Sequence, residues 1–493
     1  MLDSGPLSNE MSLDVVGEPA PQALSPIVVD LDETLVVTDT LYEQIAVGLF
    51  TRPLAVLGAT LFLLNGRAAL KAALARQIDL THITLPIRED LVHWLHQQAD
   101  LGRELHLCSA AAQPVVDMMA KRLGLFASAI GSADANLKGK AKAGYLKQRF
   151  PDGFTYVGDS AADIAVWREA SGIVLAGVSP SVARTARNLG KPVEAEFRNA
   201  ELSFKDLLKA LRVHHWSKNV LMFLPLILGH AWHDIPLIVQ TVLAFICLLM
   251  VTSATYLLND MADLSADRQH WSKRNRALAS GRMSIPLGFK LSGTLLVVAF
   301  ISAIIISPVF AAALASYLVI TGSYSLGLKR VPLLDTLIIG VLFTVRIVMG
   351  VVLLTRPSPA WLLTFSVFFF FSLAVTKRHT EIVRAAVTGS HSLASRGYCV
   401  EDAPLTLTLG IASAIASLVV LVLFIIEEML PANIYSHPQI LAGMPLVLAI
   451  WLGRVWLLAH RGRMNDDPVS FALRDRISLV LGSIVVLLFL AAL

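Results

Sequence analysis

Two groups of carboxylates in this sequence have the types and spacing needed to hold a hard cation against phosphate. The first is the run Asn259, Asp260, Asp263 and Asp267. If a helix continues through it, steps of three and four residues put all three carboxylates on one face within about two turns. Like charges stacked in this way repel. Mg2+ is their natural partner, because it takes carboxylate oxygens on one side and phosphate oxygens on the other. A plainer reading is a polar loop that stops a membrane helix, since the run closes the apolar segment Leu237 to Leu258. The second group is Asp30-Leu31-Asp32-Glu33-Thr34, together with the later Asp159 and Asp163.

The elements that must carry these groups differ in kind. The chain has 493 residues, which predicts more than one domain, and 55% are hydrophobic against 16% charged, which points to membrane spans. The bias is uneven: residues 1–205 have ordinary charge density, while residues 219–493 are mostly long apolar runs. A net charge of +4 is small, and no nucleic-acid partner is expected. Cys108, Cys247 and Cys399 lie far apart without metal-ligand spacing, which suggests a reducing compartment. Residues 1–23 are expected to be a disordered tail, since Met1 to Glu18 has acidic residues, no basic ones and no apolar core.

In the soluble half, Ile27-Val28-Val29 reads as a buried strand that delivers Asp30 and Asp32 into a loop. A second strand, Glu104 to Leu107, ends at Cys108-Ser109. A basic helical stretch with Lys138, Lys140 and Lys142 follows, and a third strand, Phe154 to Val157, runs into Gly158-Asp159. Strands alternating with helices predict a doubly wound parallel α/β sheet, whose strand ends converge on one crevice.

Residues 24–190 resemble the haloacid dehalogenase (HAD) superfamily of phosphohydrolases. The carrying residues are Asp30 to Thr34, Ser109, Lys142 and the pair Asp159 and Asp163, in the family's order. The resemblance implies that Asp30 is the nucleophile, that Asp32 is the general acid and base, and that Ser109 and Lys142 hold phosphoryl oxygens. It also implies Mg2+ near Asp30, Asp32, Asp159 and Asp163. A HAD-like fold that has lost catalysis and serves as an anchor is the alternative. A helical insertion at about residues 40–87 stands where many HAD enzymes carry a cap. Its run Ile45 to Leu64 is unusually apolar but interrupted by Arg52-Pro53 and Gly58. It is either cap core or a surface that rests against a bilayer.

Residues 191–210 read as a linker leading into an interfacial helix, with Phe204, Leu207, Leu208 and Leu211 set among Lys205, Lys209 and Arg212. From residue 211 an all-α polytopic membrane domain is expected. It has about nine candidate spans: 219–231, 235–258, 286–306, 309–327, 333–353, 360–376, 405–426, 438–459 and 474–493. Alternate loops are rich in Lys and Arg, which predicts that they and the soluble domain face the cytoplasm of a cell (inner) membrane. That face carries Lys273, Arg274 and Arg276, then Tyr324, Lys329 and Arg330, then Lys377-Arg378-His379-Thr380-Glu381, and then Asp466-Asp467-Pro468. Such cations either serve topology alone or neutralise a phosphorylated substrate. Arg346, inside a span, is a functional candidate because a membrane arginine is costly unless partnered.

Residues 211–493 resemble the UbiA superfamily of intramembrane prenyltransferases, on Asn259 to Asp267 followed by Lys273 to Arg276. Members that prenylate aromatic rings carry a second aspartate motif where this chain has Lys377 to Glu381. The stretches Leu211 to Asn219, Tyr324 to Lys329, Lys377-Arg378 and Asp466 to Pro468 resemble the decaprenyl-phosphate phosphoribosyltransferase branch instead. That resemblance implies phosphoribosyl diphosphate as donor and a polyprenyl phosphate as acceptor, with Asp260, Asp263 and Asp267 on Mg2+. Asn259, Lys273, Arg274, Arg276, Tyr324, Lys329, Arg346, Lys377 and Arg378 would bind substrate. The alternatives are an aromatic prenyltransferase using a polyprenyl diphosphate, and a transporter or scaffold of phosphorylated lipid. The oligomeric state is not legible.

Overall fold

The computed structural model describes residues 25–132, 137–354, 360–389, 391, 393, 396–431, 434–464 and 468–493. The expected tail and the pair Asp466-Asp467 lie outside the described residues. The chain divides into two units, Met1–Glu201 and Leu202–Leu493.

The first unit is a six-stranded parallel sheet. Its strands are β1 (Ile27–Val29), β2 (Leu105–Ala112), β3 (Ser128–Ser132), β4 (Thr155–Gly158), β5 (Gly172–Ala176) and β6 (Val193–Phe197), in the order β3-β2-β1-β4-β5-β6. β1 is central and wholly buried. Helices α1 (Thr40–Thr51), α2 (Pro53–Thr60) and α3 (Arg67–Gln77) form the insertion, and a bridge between Val36 and Ile87 closes its base. Helices α4 (Glu89–Asp100), α5 (Gln113–Leu123), α6 (Lys140–Arg149), α7 (Ile164–Glu169) and α8 (Pro180–Arg187) link the strands.

The alternation along β1 sets the two layers. Ile27 and Val29 face a core with Leu91, Leu95, Val116 and Met119 of α4 and α5. Val28 faces the other core, with Leu146, Trp167 and Ala186 of α6, α7 and α8. The register pairs Val29 with both Leu107 and Val157, so the ends of β1 and β4 lie level with the middle of β2, which runs on past Ser109 to Ala112. Asp30, Ser109 and Asp159 therefore stand together at the carboxyl edge.

The doubly wound class is as expected, but β6 corrects the linker boundary. It lies within residues 191–203 as the outer strand, where Ala195 and Phe197 only partly bury. Its Val-Glu-Ala-Glu-Phe pattern lacks a β-branched run because an edge strand needs only one half-buried face.

The second unit begins with α9 (Phe204–Ala210), a 3-10 stretch Val213–Phe223 and α10 (Leu224–Leu228). It continues with α11 (Ile235–Ala262), α12 (Leu264–Gln269), α13 (Ile285–Ile306), α14 (Pro308–Leu326), α15 (Leu334–Val351) and α16 (Ala360–Val387). Last come α17 (Ala403–Phe424), α18 (Gly443–His460), α19 (Pro468–Ala472) and α20 (Arg476–Ala492). Among the described residues, seven helical segments are long and apolar enough to cross a membrane, and α20 is a shorter apolar helix. Nine spans are not found among the described residues. The stretch 219–231 is a 3-10 turn followed by a five-residue helix, and it stops near His230, whose φ of 54° is left-handed. Apolar side chains such as Val297, Ile301, Ile304 and Ile305 of α13 stay exposed, as lipid-facing residues do.

Candidate functional site

In the first unit, β1 hands the chain to a tight π-type turn, Leu31–Leu35, in which Glu33 adopts a left-handed φ of 57°. This turn places Asp30 and Asp32 on opposite partners. Asp30 Oδ2 accepts from Lys142 Nζ at 2.7 Å and from the Tyr156 hydroxyl at 3.2 Å. Lys142, on α6, is buried and also donates to the Tyr156 oxygen at 2.8 Å. Asp163 Oδ1 accepts from Tyr156 at 3.0 Å, and its other oxygen gathers the Ser160 hydroxyl and two backbone N–H groups. Gly158 is needed for this, because a Cβ there would sit 2.8 Å from Asp163 Cγ. Asp159 Oδ1 accepts from Thr34 at 3.2 Å.

Among the described residues, Asp30, Asp159 and Asp163 could hold a metal ion, since their ligand atoms all lie within 4.8 Å of one another. Burial and the neighbouring Asp163 and Asp30 push the Asp159 carboxyl up to about 9, and burial with Asp30 also raises Asp163. Buried like charges of this kind fit a hard divalent cation with oxygen ligands, so the residues present suit Mg2+. Asp32 does not join them, which corrects the expectation that its carboxylate is a ligand. Its Oδ1 accepts from Thr40 N at 2.9 Å and Thr40 Oγ1 at 2.7 Å, while Lys71 Nζ stands 3.4 Å from Oδ2. Burial, then Asp39, raises the Asp32 carboxyl, and Lys71 opposes the rise. A carboxyl that stays protonated to higher pH suits a general acid.

Asp30, Asp32, Lys71, Lys142, Asp159 and Asp163 line one cavity of about 180 Å³, with Ser109, Lys138 and Gly139 on its wall. Sequence reasoning missed two participants. Tyr156 sits inside a strand and reads as core, and Lys71 comes from α3 of the insertion, a contact that no local pattern announces.

In the second unit, α11 does not run through the aspartate motif. It ends at Ala262, Asp263 caps it, and α12 starts at Leu264. The break leaves Asp263 exposed at the junction, while Asp260 and Asp267 share one guanidinium. Asp260 Oδ1 accepts from Arg212 at 2.8 Å and from Arg276 at 3.0 Å, and Arg276 also reaches Asp267 Oδ2 at 2.5 Å. Lys273 Nζ stands 3.9 Å from Asp267. Burial raises the Asp267 carboxyl against the pull of Arg276. Asp263 is exposed, and Asn259 is half-buried beside it. The single carboxylate face is thereby corrected. The donor type fits a hard cation, but the arrangement spends Asp260 and Asp267 on arginine and does not gather three oxygens on one ion.

Arg212 is placed by the segment before it enters α10. Trp216 Nε1 donates to Ser253, whose hydroxyl donates to Leu211 O, and Asn219 Nδ2 donates to Thr252. These bonds dock residues 211–219 along α11. Sequence reasoning named this stretch without foreseeing that it delivers a guanidinium to Asp260.

Arg346 is buried in α15, where it donates to Asn219 Oδ1 at 2.8 Å, Leu342 O at 2.5 Å and the Tyr317 hydroxyl at 2.9 Å. Its guanidinium also lies 4.9 Å from the Tyr317 ring centre and 5.3 Å from that of Phe343. Arg378 departs from the substrate role expected of it. It is buried on α16, donating to Asp335 Oδ2 at 2.6 Å and Glu381 Oε2 at 2.5 Å, while Tyr398 donates to Asp335 Oδ1 at 2.6 Å. A guanidinium fork filled by two carboxylates is committed to packing α16 against α15. The Tyr324 hydroxyl accepts from Arg396 at 2.7 Å, Lys329 is half-buried, Lys377 is half-buried with a partner of its own, and Arg274 is exposed. The structure thus does not bring every expected cation to one place.

The fold and the two sites define a multi-pass membrane protein joined to a parallel α/β unit with a carboxylate crevice. The profile of the UbiA prenyltransferase family matches residues 220–480, just over half of the chain. The chain belongs to that family. It is 42% identical over 468 residues to the uncharacterized protein y4nM of Sinorhizobium fredii, covering 95% of this chain and 91% of that one. It is 30% identical over 188 residues to the decaprenyl-phosphate phosphoribosyltransferase of Mycolicibacterium smegmatis, covering 37% of this chain and 59% of the relative. Among solved structures, a phosphoserine phosphatase bearing a phospho-aspartyl intermediate analogue overlays 38% of this chain and 97% of its own, at 17% identity and a TM-score of 0.26.

Proposed function

We propose that the membrane unit transfers 5-phosphoribose from phosphoribosyl diphosphate to a polyprenyl phosphate, and that the HAD-like unit then removes the 5-phosphate. The observation that carries the first step is the cation excess around the aspartate motif. Among the described residues, Arg212, Arg276 and Lys273 make their ion pairs with two carboxylates, Asp260 and Asp267. A sugar bearing a 5-phosphate and a 1-diphosphate asks for fixed cations more than for carboxylates. The relative from Mycolicibacterium is itself a decaprenyl-phosphate phosphoribosyltransferase, which supports the reading. An aromatic prenyltransferase would need a second carboxylate site, and in residues 377–381 the one acid, Glu381, is bound to Arg378.

As the ribosyl C1–O bond breaks, charge on the departing diphosphate is taken up by Arg212, Lys273, Arg274 and Arg276, while a phosphate oxygen of the lipid forms the new bond to C1. Asp260 and Asp267 position the guanidinium groups, and Asn259 and Asp263 are proposed to meet the donor beside them. Lys329, Lys377 and Tyr324 are proposed for the remaining phosphate, and Arg346 for holding the fold of the surrounding helices. Asp263, exposed beside the two arginine-held carboxylates, would meet Mg2+ brought in on the diphosphate.

In the HAD-like unit, an Asp30 oxygen attacks phosphorus, the ester P–O bond breaks, and Asp32 gives its proton to the departing ribose oxygen. Water then attacks the aspartyl phosphate as Asp32 takes a proton back, releasing inorganic phosphate. Lys142 and Ser109 hold the phosphoryl oxygens, and Asp30, Asp159 and Asp163 would hold Mg2+, which when bound neutralises the phosphate's charge. Both reactions are proposed on the cytoplasmic side of a cell membrane, following the Lys and Arg bias of the loops. Incubating the protein in membranes with labelled phosphoribosyl diphosphate and polyprenyl phosphate should yield lipid-linked ribose. Label passing instead into a prenylated aromatic acceptor, or no lipid-linked ribose at all, counts against this reading.

A further inference from the structure

The insertion of the first unit has an apolar exterior that its own fold does not use. Val56 and Ala59 of α2 pack inward with Leu41, Leu70, Leu74 and Ile78. The opposite side of the same helix is also apolar. Leu54 and Leu57 are 82% and 65% exposed, and the turn that follows the helix adds Leu61 at 70%, Phe62 at 46% and Leu64 at 90%. A helix that is apolar all round belongs inside something, and a contiguous patch of this kind marks a docking surface.

Charge identifies what covers it. Between Ile45 and Gln77 the sequence has Arg52, Arg67, Lys71 and Arg76 and no aspartate or glutamate. Bulky apolar side chains flanked only by cations are the pattern of a segment lying in the headgroup region of an anionic bilayer. The occupant is also always at hand, because the same chain carries, among its described residues, seven segments long and apolar enough to cross a membrane. We infer that α2 and the turn after it, Leu54 to Leu64, dock into the interface of an anionic lipid bilayer.

The same insertion contributes Lys71 to the crevice, 3.4 Å from Asp32. Docking the insertion therefore holds the mouth of the crevice at the lipid surface, and its substrate class is a phosphate monoester carried on a lipid. That last step rests on the phosphatase reading above, whereas the docking does not.

The test uses the full-length protein in vesicles of phosphatidylcholine and phosphatidylglycerol. Benzoylphenylalanine is placed at Leu57 or Leu64, with Asp152 as control, since that exposed residue precedes β4 at the far end of the sheet. Irradiation should give lipid adducts at Leu57 and Leu64 about tenfold above the control. Equal adducts at all three positions, or cross-links to protein alone, overturn the docking. In a second arm, the double variant Leu54→Glu, Leu57→Glu should hydrolyse a lipid-borne phosphate about tenfold more slowly while cleaving p-nitrophenyl phosphate at the unaltered rate. An equal rate on the lipid overturns the substrate class. If the unaltered protein cleaves neither phosphate, the phosphatase reading falls by itself and the cross-links still decide the docking.

Discussion

At the scale of single residues, the two aspartates of the Asp30-x-Asp32 pair divide the work through their partners. Asp30 faces a buried lysine and a tyrosine, while Asp32 faces a threonine and a half-buried lysine from another element. Burial raises the Asp32 carboxyl and Lys71 pulls it down. Removing Lys71 therefore raises it further. The acid form is needed to protonate a poor leaving group, so the alkaline fall of kcat/KM on an alkyl phosphate should move to higher pH in Lys71→Met. A profile that stays put or moves to lower pH would mean that Asp32 is not the acid. The same sign applies to stability. A raised carboxyl favours the folded state below its unfolded pKa, and that contribution is lost as pH rises through the folded value.

At the scale of elements, what matters is where a helix stops and which charges it spends. Asp263 is exposed at the junction of α11 and α12 and makes no side-chain hydrogen bond or ion pair among the described residues. Asp263→Asn should thus change stability by no more than about 0.5 kcal/mol. If it meets the diphosphate's counter-ion as proposed, transfer should drop by about 100-fold, and unchanged turnover in membranes would remove it from the site. Asp335 is the opposite case. It is fully buried between Arg378 and Tyr398, so Asp335→Asn should cost about 3–5 kcal/mol by leaving a buried cation half-paired. A lowered melting temperature in detergent would show it.

These two aspartates also mark what the sequence could reveal. Residue type and order made the HAD-like crevice legible, because three strand ends each deliver their residues locally. The aspartate motif was legible as a motif but not as a geometry, since the helix break at Asp263 and the grip of Arg276 depend on residues that return from beyond α12. Arg378 read as a substrate cation because its partner Asp335 lies 43 positions away. Edge strand β6 and the broken stretch 219–231 were misread for a related reason, their local patterns being weaker than the packing that decides them.

At the scale of the whole molecule, the two units belong to one chain, and a relative aligned over 95% of it shares the full span. Physical linkage of two activities matters when the product of one is the substrate of the other, because tethering raises the effective concentration of the intermediate to about millimolar. In that arrangement the order of reactions fixes what each variant accumulates. Asp30→Asn keeps the shape of the crevice but removes the nucleophile, so it should leave transfer intact and stop the chain of events at the lipid-linked 5-phosphoribose. Mass spectrometry of lipid extracts should then find the phosphorylated species in place of the dephosphorylated one. A variant blocked in transfer, such as Arg276→Gln, should show neither. If Asp30→Asn gives the same product ratio as the unaltered protein, the HAD-like unit acts on some other ester, and the two sites share a chain without sharing a substrate.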